Sequence, residues 1–178
     1  MIVDSHHHVW RVQDNLWLQG PMVPRIFGPY EAIRRDYLAD EFIADATGAG
    51  VGRSVYVQTN WPLERSLDEV RWVQQVHEES GWPHAIVGAA DLFRDDAPAL
   101  FEAQAEASPL MRGIRLQLHW HPNEQYRFAS APDRMKDPVL RRAPHSRYTR
   151  SAVPPSTAAR TSSGRPASAC RHAAMSER

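Results

Sequence analysis

The sequence predicts an α/β fold, and two observations support this prediction. Short apolar or β-branched runs alternate four times with segments whose apolar residues recur at helical spacing, and glycines stand at several of the junctions. Such alternation implies parallel strands joined by right-handed crossovers. Two architectures fit, a doubly wound sheet or a (β/α)8 barrel. A full barrel needs roughly 250 residues, and this chain of 178 residues holds about four βα units.

The first unit contains an unusually long connection. Residues 2–8 are predicted to form a short buried strand, and residues 9–37 follow with three prolines and several aromatic residues. A loop of this length in a compact domain is usually functional. Residues 38–47 carry apolar side chains at near-helical spacing, and Gly48 is predicted to end that helix.

The second unit begins with the β-branched run of residues 54–58. Ser66 is predicted to begin the next helix, because Glu69 follows it at the spacing of a capping box. An apolar stripe at helical spacing continues from there, and Gly81 is predicted to end the helix.

The third and fourth units are predicted in the same way. Residues 85–89 form the third strand and residues 97–107 the third helix. Residues 113–118 form the fourth strand, in which apolar and polar side chains alternate. Residues 133–142 begin what is predicted to be a further helix.

The composition changes abruptly after residue 142. Residues 143–178 contain eight Ala, seven Ser, six Arg and four Pro, and they lack Leu, Ile, Phe and Trp. Such a segment cannot bury a core, so we expect one domain over residues 1–142 and a disordered tail over residues 143–178. Because the change falls inside a developing helix, we expect the tail to be a shifted reading frame of a GC-rich gene. A native disordered tail is the alternative.

Charge and cysteine content bear on the functional class. The formal net charge of zero argues neither for a nucleic-acid partner nor for binding to an acidic membrane surface. The single cysteine, Cys170, excludes an internal disulfide and fits a reducing compartment. The sequence shows neither a secretory signal nor an apolar run near the ~20 residues that span a bilayer. We therefore expect a cytoplasmic protein that binds neither membranes nor nucleic acid.

The most informative motif is Asp4-Ser5-His6-His7-His8, at the end of the first predicted strand. Side chains alternate along a strand, so His6 and His8 should point to one face and His7 to the other. Two converging imidazoles form half of a transition-metal site, and the carboxyl ends of parallel strands are where such sites lie. The alternative is a pair of polar residues at an exposed strand end.

The fourth strand adds polar side chains to the same end of the sheet. Arg115, Gln117 and His119 share one face of this strand and its extension, and apolar residues share the other. In a barrel, that polar face would look into the interior that receives the two histidines. Arg115 offers a planar fork suited to a substrate carboxylate, and a salt bridge to Asp4 or Asp91 is the equal alternative.

Two further residues are candidates for substrate binding. Gln58 closes the second strand, where its amide could form part of the wall of a site. His119 follows the fourth strand, and a solvent-facing histidine is the alternative there. The sequence contains no glycine-rich phosphate loop and no nucleophile elbow.

Taken together, these residues resemble the amidohydrolase-related (amidohydrolase 2) family, and within it the fuconolactonase and pyrone-dicarboxylate-lactonase branch. The resemblance lies in residues 2–11, 50–58 and 112–115, and it runs from residue 1 to about residue 142. It implies a (β/α)8 barrel, of which this chain would form about the first four βα units. It also implies hydrolysis of lactones or related esters and amides, with decarboxylation in some members.

The resemblance assigns roles to three of the residues. His6 and His8 match the first two ligands of a divalent metal, which we expect to be Zn or Mn, and Arg115 matches a substrate-carboxylate binder. The family also uses a histidine after a later strand and an acidic residue after the last strand. Neither has a counterpart here, so the catalytic acid or base is unassigned.

Three functional hypotheses follow from the resemblance. The first is a metal-dependent hydrolase of a small carboxylated substrate, a lactone or a related carboxylic ester. The second is a truncated, non-catalytic fragment of such an enzyme, and the third is a decarboxylase of the same superfamily. The full-length form could assemble as a homo-oligomer.

Overall fold

A computed structural model describes residues 1–25 and 27–142 of the chain. The predictions made for residues 143–178, including Cys170, the disordered tail and the shifted reading frame, lie outside the described residues.

The centre of the fold is a parallel sheet in which every strand pairs with the next strand along the chain. The strands are β1 (Ile2–His7), β2 (Val51–Val57), β3 (Ala85–Ala89) and β4 (Met111–Arg115), in the spatial order β1-β2-β3-β4. A doubly wound sheet reverses its direction at a switch point, whereas this sheet winds in one direction only. The strand order is that of the first four units of a (β/α)8 barrel and confirms the predicted α/β class.

Helices connect and cover the strands. They are α1 (Leu16–Gln19), α2 (Ala39–Gly48), α3 (Ser66–Ser80), α4 (Ala97–Ala107) and α5 (Pro138–Arg142). As predicted, Gly81 ends α3, with a φ of 77° that favours glycine. α2 ends at Gly48, one residue later than predicted, and Gly50, also at φ 77°, forms the turn into β2.

The core lies between the sheet and the helices that follow β1 and β2. Phe42 of α2 and Val70 and Val73 of α3 pack against Tyr56 of β2 and Ile86 of β3. All five side chains are buried. Burial of this apolar surface is what holds the helices on the sheet.

The predicted capping box is wrong. The residue that caps α3 is Arg65, and its side chain makes no capping hydrogen bond. Glu69 turns inward instead, where its Oε1 accepts hydrogen bonds from the Tyr56 hydroxyl at 2.8 Å and the Thr59 backbone N–H at 2.6 Å. Ser66, the first residue of α3, is buried next to Gln104. Glu69 therefore accepts hydrogen bonds from residues at the end of β2 and does not cap α3.

The fourth strand is shorter at its carboxyl end than predicted. It ends at Arg115, which pairs with Ala89, the last residue of β3. The alternation of residues 116–121 therefore lies beyond the sheet. The predicted helix over 133–142 is divided into a 3-10 turn, Arg134–Lys136, and α5, because Pro138 forces the preceding residue into an extended conformation.

Among the described residues, no helix has the length and apolarity needed to cross a membrane.

Candidate functional site

A cleft of about 690 Å³ opens at the carboxyl ends of the strands, and we call it the main cleft. His8 from the end of β1, Gln58 from the end of β2 and Arg115 from the end of β4 all line it. Parts of two connections, residues 9–37 and 116–128, complete its wall. The carboxyl end of a parallel sheet therefore brings together side chains that are far apart in sequence.

The two histidines proposed as metal ligands lie on one face at the carboxyl end of β1. The ring centroids of His6 and His8 are 5.0 Å apart, with the rings nearly perpendicular. His7 faces the opposite side, where it stacks on Phe42 with ring centroids 3.8 Å apart. Its Nε2 lies 2.9 Å from the hydroxyl of Ser54, and burial lowers the pKa of His7 to about 4. His7 is therefore a neutral part of the core.

A backbone hydrogen bond fixes the tautomer of His8. Its Nδ1 lies 2.6 Å from the carbonyl oxygen of Val57, and because a carbonyl can only accept, Nδ1 carries the hydrogen. Burial lowers the pKa of His8, which favours the neutral ring, so Nε2 keeps a free lone pair. Metal-ligating histidines are commonly held in this way, with the second ring nitrogen donating to a carbonyl.

These two side chains fit part of a site for a divalent metal. His6 is exposed, and its backbone N–H donates to Asp4 Oδ1 at 3.0 Å. Within residues 1–25 and 27–142, no group of three or more His, Cys, Asp or Glu is arranged to hold a metal ion. His6 and His8 therefore supply two ligands, and the described residues do not complete the set.

Arg115 lies in the main cleft without a carboxylate partner in the described part of the chain. Its Nη1 makes one long contact, 3.5 Å, with the backbone oxygen of Gln58. The carboxylates of Asp4 and Asp91 instead accept the backbone N–H groups of His6 and Phe93, each two residues further along the chain. The alternative role for Arg115, a salt bridge to either aspartate, is therefore not formed. Burial lowers the pKa of Arg115, but a guanidinium keeps its charge.

The other two candidate residues occupy different parts of the main cleft. Gln58 is buried in the wall, where its Oε1 accepts the backbone N–H of Asn60 at 2.6 Å. That bond accompanies a turn in which Asn60 has a φ of 64°. His119 is exposed at the rim, and its ring lies 4.8 Å from the ring of Phe128.

The sequence prediction missed Arg25, which also lines the main cleft. It lies in the long proline-containing connection, where no hydrophobic period assigns side chains to a face. The connection reaches the cleft because the indole N–H of Trp17 donates to the backbone oxygen of Thr59 at 3.1 Å. In the sequence, the one feature that could have pointed to Arg25 as a site residue was its charge within an aromatic, proline-rich loop.

The chain is similar in sequence to several known proteins. Residues 3–144 match the family model described as amidohydrolase. An uncharacterized protein, y4mH of Sinorhizobium fredii, is 30% identical over 142 residues, which cover 79% of this chain and 48% of that protein. An L-fucono-1,5-lactonase of Burkholderia ambifaria is 30% identical over 118 residues, covering 65% of this chain and 36% of the lactonase.

A solved structure is also similar. It is an amidohydrolase from Burkholderia multivorans with bound zinc, 27% identical, with a TM-score of 0.49, and the match covers 67% of this chain and 38% of that one. The chain thus spans about half the length, or less, of the relatives that it matches.

Proposed function

This chain belongs to the amidohydrolase family, and on that premise we propose that its main cleft binds a small carboxylated substrate for metal-dependent hydrolysis of a lactone or related carboxylic ester. One observation supports the proposal above the others. A single cleft holds His8, with Nε2 free for a metal, and Arg115, without a carboxylate partner among the described residues. Because the chain spans about half the length of its relatives or less, catalysis by this chain is itself part of the proposal.

Each residue of the site has a physical task in this proposal. Arg115 binds the substrate carboxylate with two parallel N–H donors, which fixes the position of the ester carbonyl. His6 and His8 would hold the metal, and the carbonyl of Val57 holds the His8 ring in the ligating tautomer. When bound, a divalent metal supplies polarisation of the carbonyl and a water whose pKa is lowered toward ~7. Aromatic side chains of the two connections line the cleft, where they would limit the access of bulk water.

The experiment uses the purified full chain loaded with Zn²⁺ or Mn²⁺. Proton release at constant pH is measured with a panel of lactones, with and without a carboxylate group. We expect hydrolysis, faster for carboxylated lactones, that is lost in the His6→Ala/His8→Ala double variant. The matched control is His121→Ala, because His121 is exposed and does not line the main cleft.

Three results would contradict the proposal. Absence of both turnover and bound metal would leave the alternative of a non-catalytic fragment. Release of carbon dioxide from a carboxylated substrate, without proton release from any lactone, would favour a decarboxylase. Full activity of the double variant would remove the two histidines from any mechanism.

A further inference from the structure

The sheet has two unpaired edges in the described part of the chain. There, β1 pairs only with β2, β4 pairs only with β3, and every pairing is parallel. Free N–H and C=O groups along a strand edge are a template for pairing with another chain. Because all four strands point the same way, β4 of one copy can pair with β1 of a second copy in the same parallel manner as the strands within the sheet.

The two edges also match in length, since β1 has six residues and β4 has five. If a two-fold axis relates two copies, the junction between β4 and β1 forms twice, and the two four-stranded sheets become eight strands without a free edge. Eight parallel strands close into a barrel whose interior is filled by side chains. Pairing of an edge with the same edge of a second copy would instead leave two edges open.

The charges at the two edges are complementary. Asp4 lies on β1 and the exposed Arg112 lies on β4, and neither has an ion-pair partner in the described part of the chain. Arg112 Nη1 donates to the backbone oxygens of Pro109 and Met111. Pairing β4 with β1 puts opposite charges on neighbouring strands, whereas pairing an edge with the same edge puts like charges together.

The face of the sheet that points away from the helices is apolar and incompletely covered. Tyr56 and Ile86 are buried on the helix side. Because side chains alternate along a strand, Val55, Ala85 and Val87 lie on the opposite face, where each is only partly buried. Branched and small apolar side chains of this kind fill the interior of a parallel barrel. A second sheet across from this one would bury them.

We propose that two copies of this chain close into one eight-stranded parallel barrel, with β4 of each copy paired to β1 of the other. β4 ends at Arg115 and β1 ends at His7, so each junction places Arg115 of one copy beside the strand end that carries His6 and His8 of the other. The second copy thus adds side chains to a site for which the described residues supply only two candidate metal ligands. The closure itself does not depend on the proposed hydrolysis.

Sedimentation velocity of the full chain in EDTA, where no metal can bridge two copies, measures the association. We expect a species with the mass of two chains and none larger, because closure leaves no edge for a third copy. A monomer at protein concentrations up to about 100 μM, or a series of larger species, would overturn the inference.

Charge reversal tests which edges pair. Asp4→Arg and Arg112→Asp should each raise the Kd of the dimer roughly tenfold or more, because both junctions then bring like charges together. An equimolar mixture of the two variants should recover a heterodimer with an affinity near that of the wild type, since both of its junctions again pair opposite charges. Recovery in the mixture also shows that neither variant is unfolded.

The matched control is Arg71→Asp, because Arg71 is an exposed arginine of α3, outside the sheet, and this variant should dimerise like the wild type. Wild-type dimerisation of Arg112→Asp would indicate pairing of β1 with β1, and wild-type dimerisation of Asp4→Arg would indicate pairing of β4 with β4. Either result would overturn the inference, as would a mixture that forms no heterodimer although circular dichroism shows both variants folded.

Lactone hydrolysis by the same samples separates this inference from the proposed function. A closed dimer that hydrolyses no lactone when loaded with metal would support the inference and contradict the proposed activity. Hydrolysis by a species with the mass of one chain would overturn the inference and leave the proposed function standing.

Discussion

At the scale of single residues, the environment of each side chain decides its chemistry more than its type does. Three consecutive histidines have three different roles. His7 is stacked in the core with its pKa lowered to about 4, His8 is held by a carbonyl with Nε2 free, and His6 is exposed beside it. The period of two along a strand was enough to separate His7 from its neighbours. The hydrogen bond of His8 to Val57 joins residues 49 positions apart and could not be read from the sequence.

Replacing Arg115 with Gln should weaken the binding of carboxylated ligands by about 1.5–3 kcal/mol, because a charge-assisted contact is lost. Arg115→Lys should restore only part of that loss, since lysine lacks the planar fork. Calorimetric titration with a carboxylate and with its methyl ester measures both effects. An equal loss for the ester would mean that Arg115 does not act through the charge.

At the scale of elements, buried polar contacts connect the strand ends to the helices. Glu69 of α3 accepts the backbone N–H of Thr59 and the hydroxyl of Tyr56, so it fixes the turn that follows β2. The sequence rule that placed Glu69 in a capping box is local, whereas these partners lie ten and thirteen residues away. Local rules predicted correctly that α3 begins at Ser66, but they did not predict the hydrogen bonds of Glu69 to Tyr56 and Thr59. Helix ends with only local determinants, such as the turn at Gly81, were predicted correctly.

Burial gives the stability of the protein a pH dependence through Glu69. Desolvation raises the pKa of Glu69 above its ordinary value of 4.5, although hydrogen bonds from Thr59 and Tyr56 oppose the shift. The folded state therefore keeps a proton that the unfolded state releases, and its contribution is lost as pH rises above 4.5. The Glu69→Gln variant should accordingly gain stability relative to the wild type as pH rises above 4.5.

Urea unfolding at several pH values measures that difference. Glu79→Gln, at an exposed position of the same helix, controls for the removal of a carboxylate. A difference between Glu69→Gln and the wild type that stays constant or shrinks as pH rises would contradict the prediction.

Close packing of α4 on β3 depends on a glycine. A Cβ at Gly88 would lie 2.2 Å from Oε1 of Gln104 and 3.1 Å from Cε of Met111. Gln104 is fully buried and donates to the backbone oxygen of Ala89 at 2.7 Å, so it cannot move freely. Gly88→Ala should lower the free energy of unfolding by about 1–3 kcal/mol.

The matched control for this change is Gly113→Ala on β4. A Cβ there meets no atom within 4 Å, so its effect should be small. The midpoints of urea unfolding compare the two variants. Equal midpoints would show that the approach of Gln104 to Gly88 does not constrain the packing.

At the scale of the whole molecule, the parallel sheet was predictable from local patterns and the order of its strands was not. Alternation of strands and helices predicted the parallel sheet, because the periods of two and 3.6 are local properties. The choice between a doubly wound sheet and a barrel depends on strand order, which the alternation alone does not give; the resemblance implied a barrel, and the strand order in the structure agrees. The long connection was predicted to be functional, yet the position of Arg25 in the cleft follows from tertiary contacts such as that of Trp17 with Thr59.

The first strand has an unpaired edge in the described part of the chain. It pairs with β2 on one side only, and its residues Ile2 and Val3 are 56% and 50% exposed. Unpaired apolar edges promote association between chains, and lysine at an edge opposes it. We expect the wild type to associate with rising concentration in sedimentation velocity, and Val3→Lys to weaken that association. Val139→Lys, at an exposed position of α5, is the control, and equal behaviour of all three proteins would contradict the expectation.

We propose that the carboxyl end of this sheet holds a metal through His6 and His8. Calorimetric titration of Zn²⁺ into the purified full chain tests this proposal. We expect one saturable site per chain, whose affinity falls tenfold or more in the His6→Ala/His8→Ala variant and is unchanged in His121→Ala. Either no binding to the wild type, or binding of equal strength to the double variant, would contradict it.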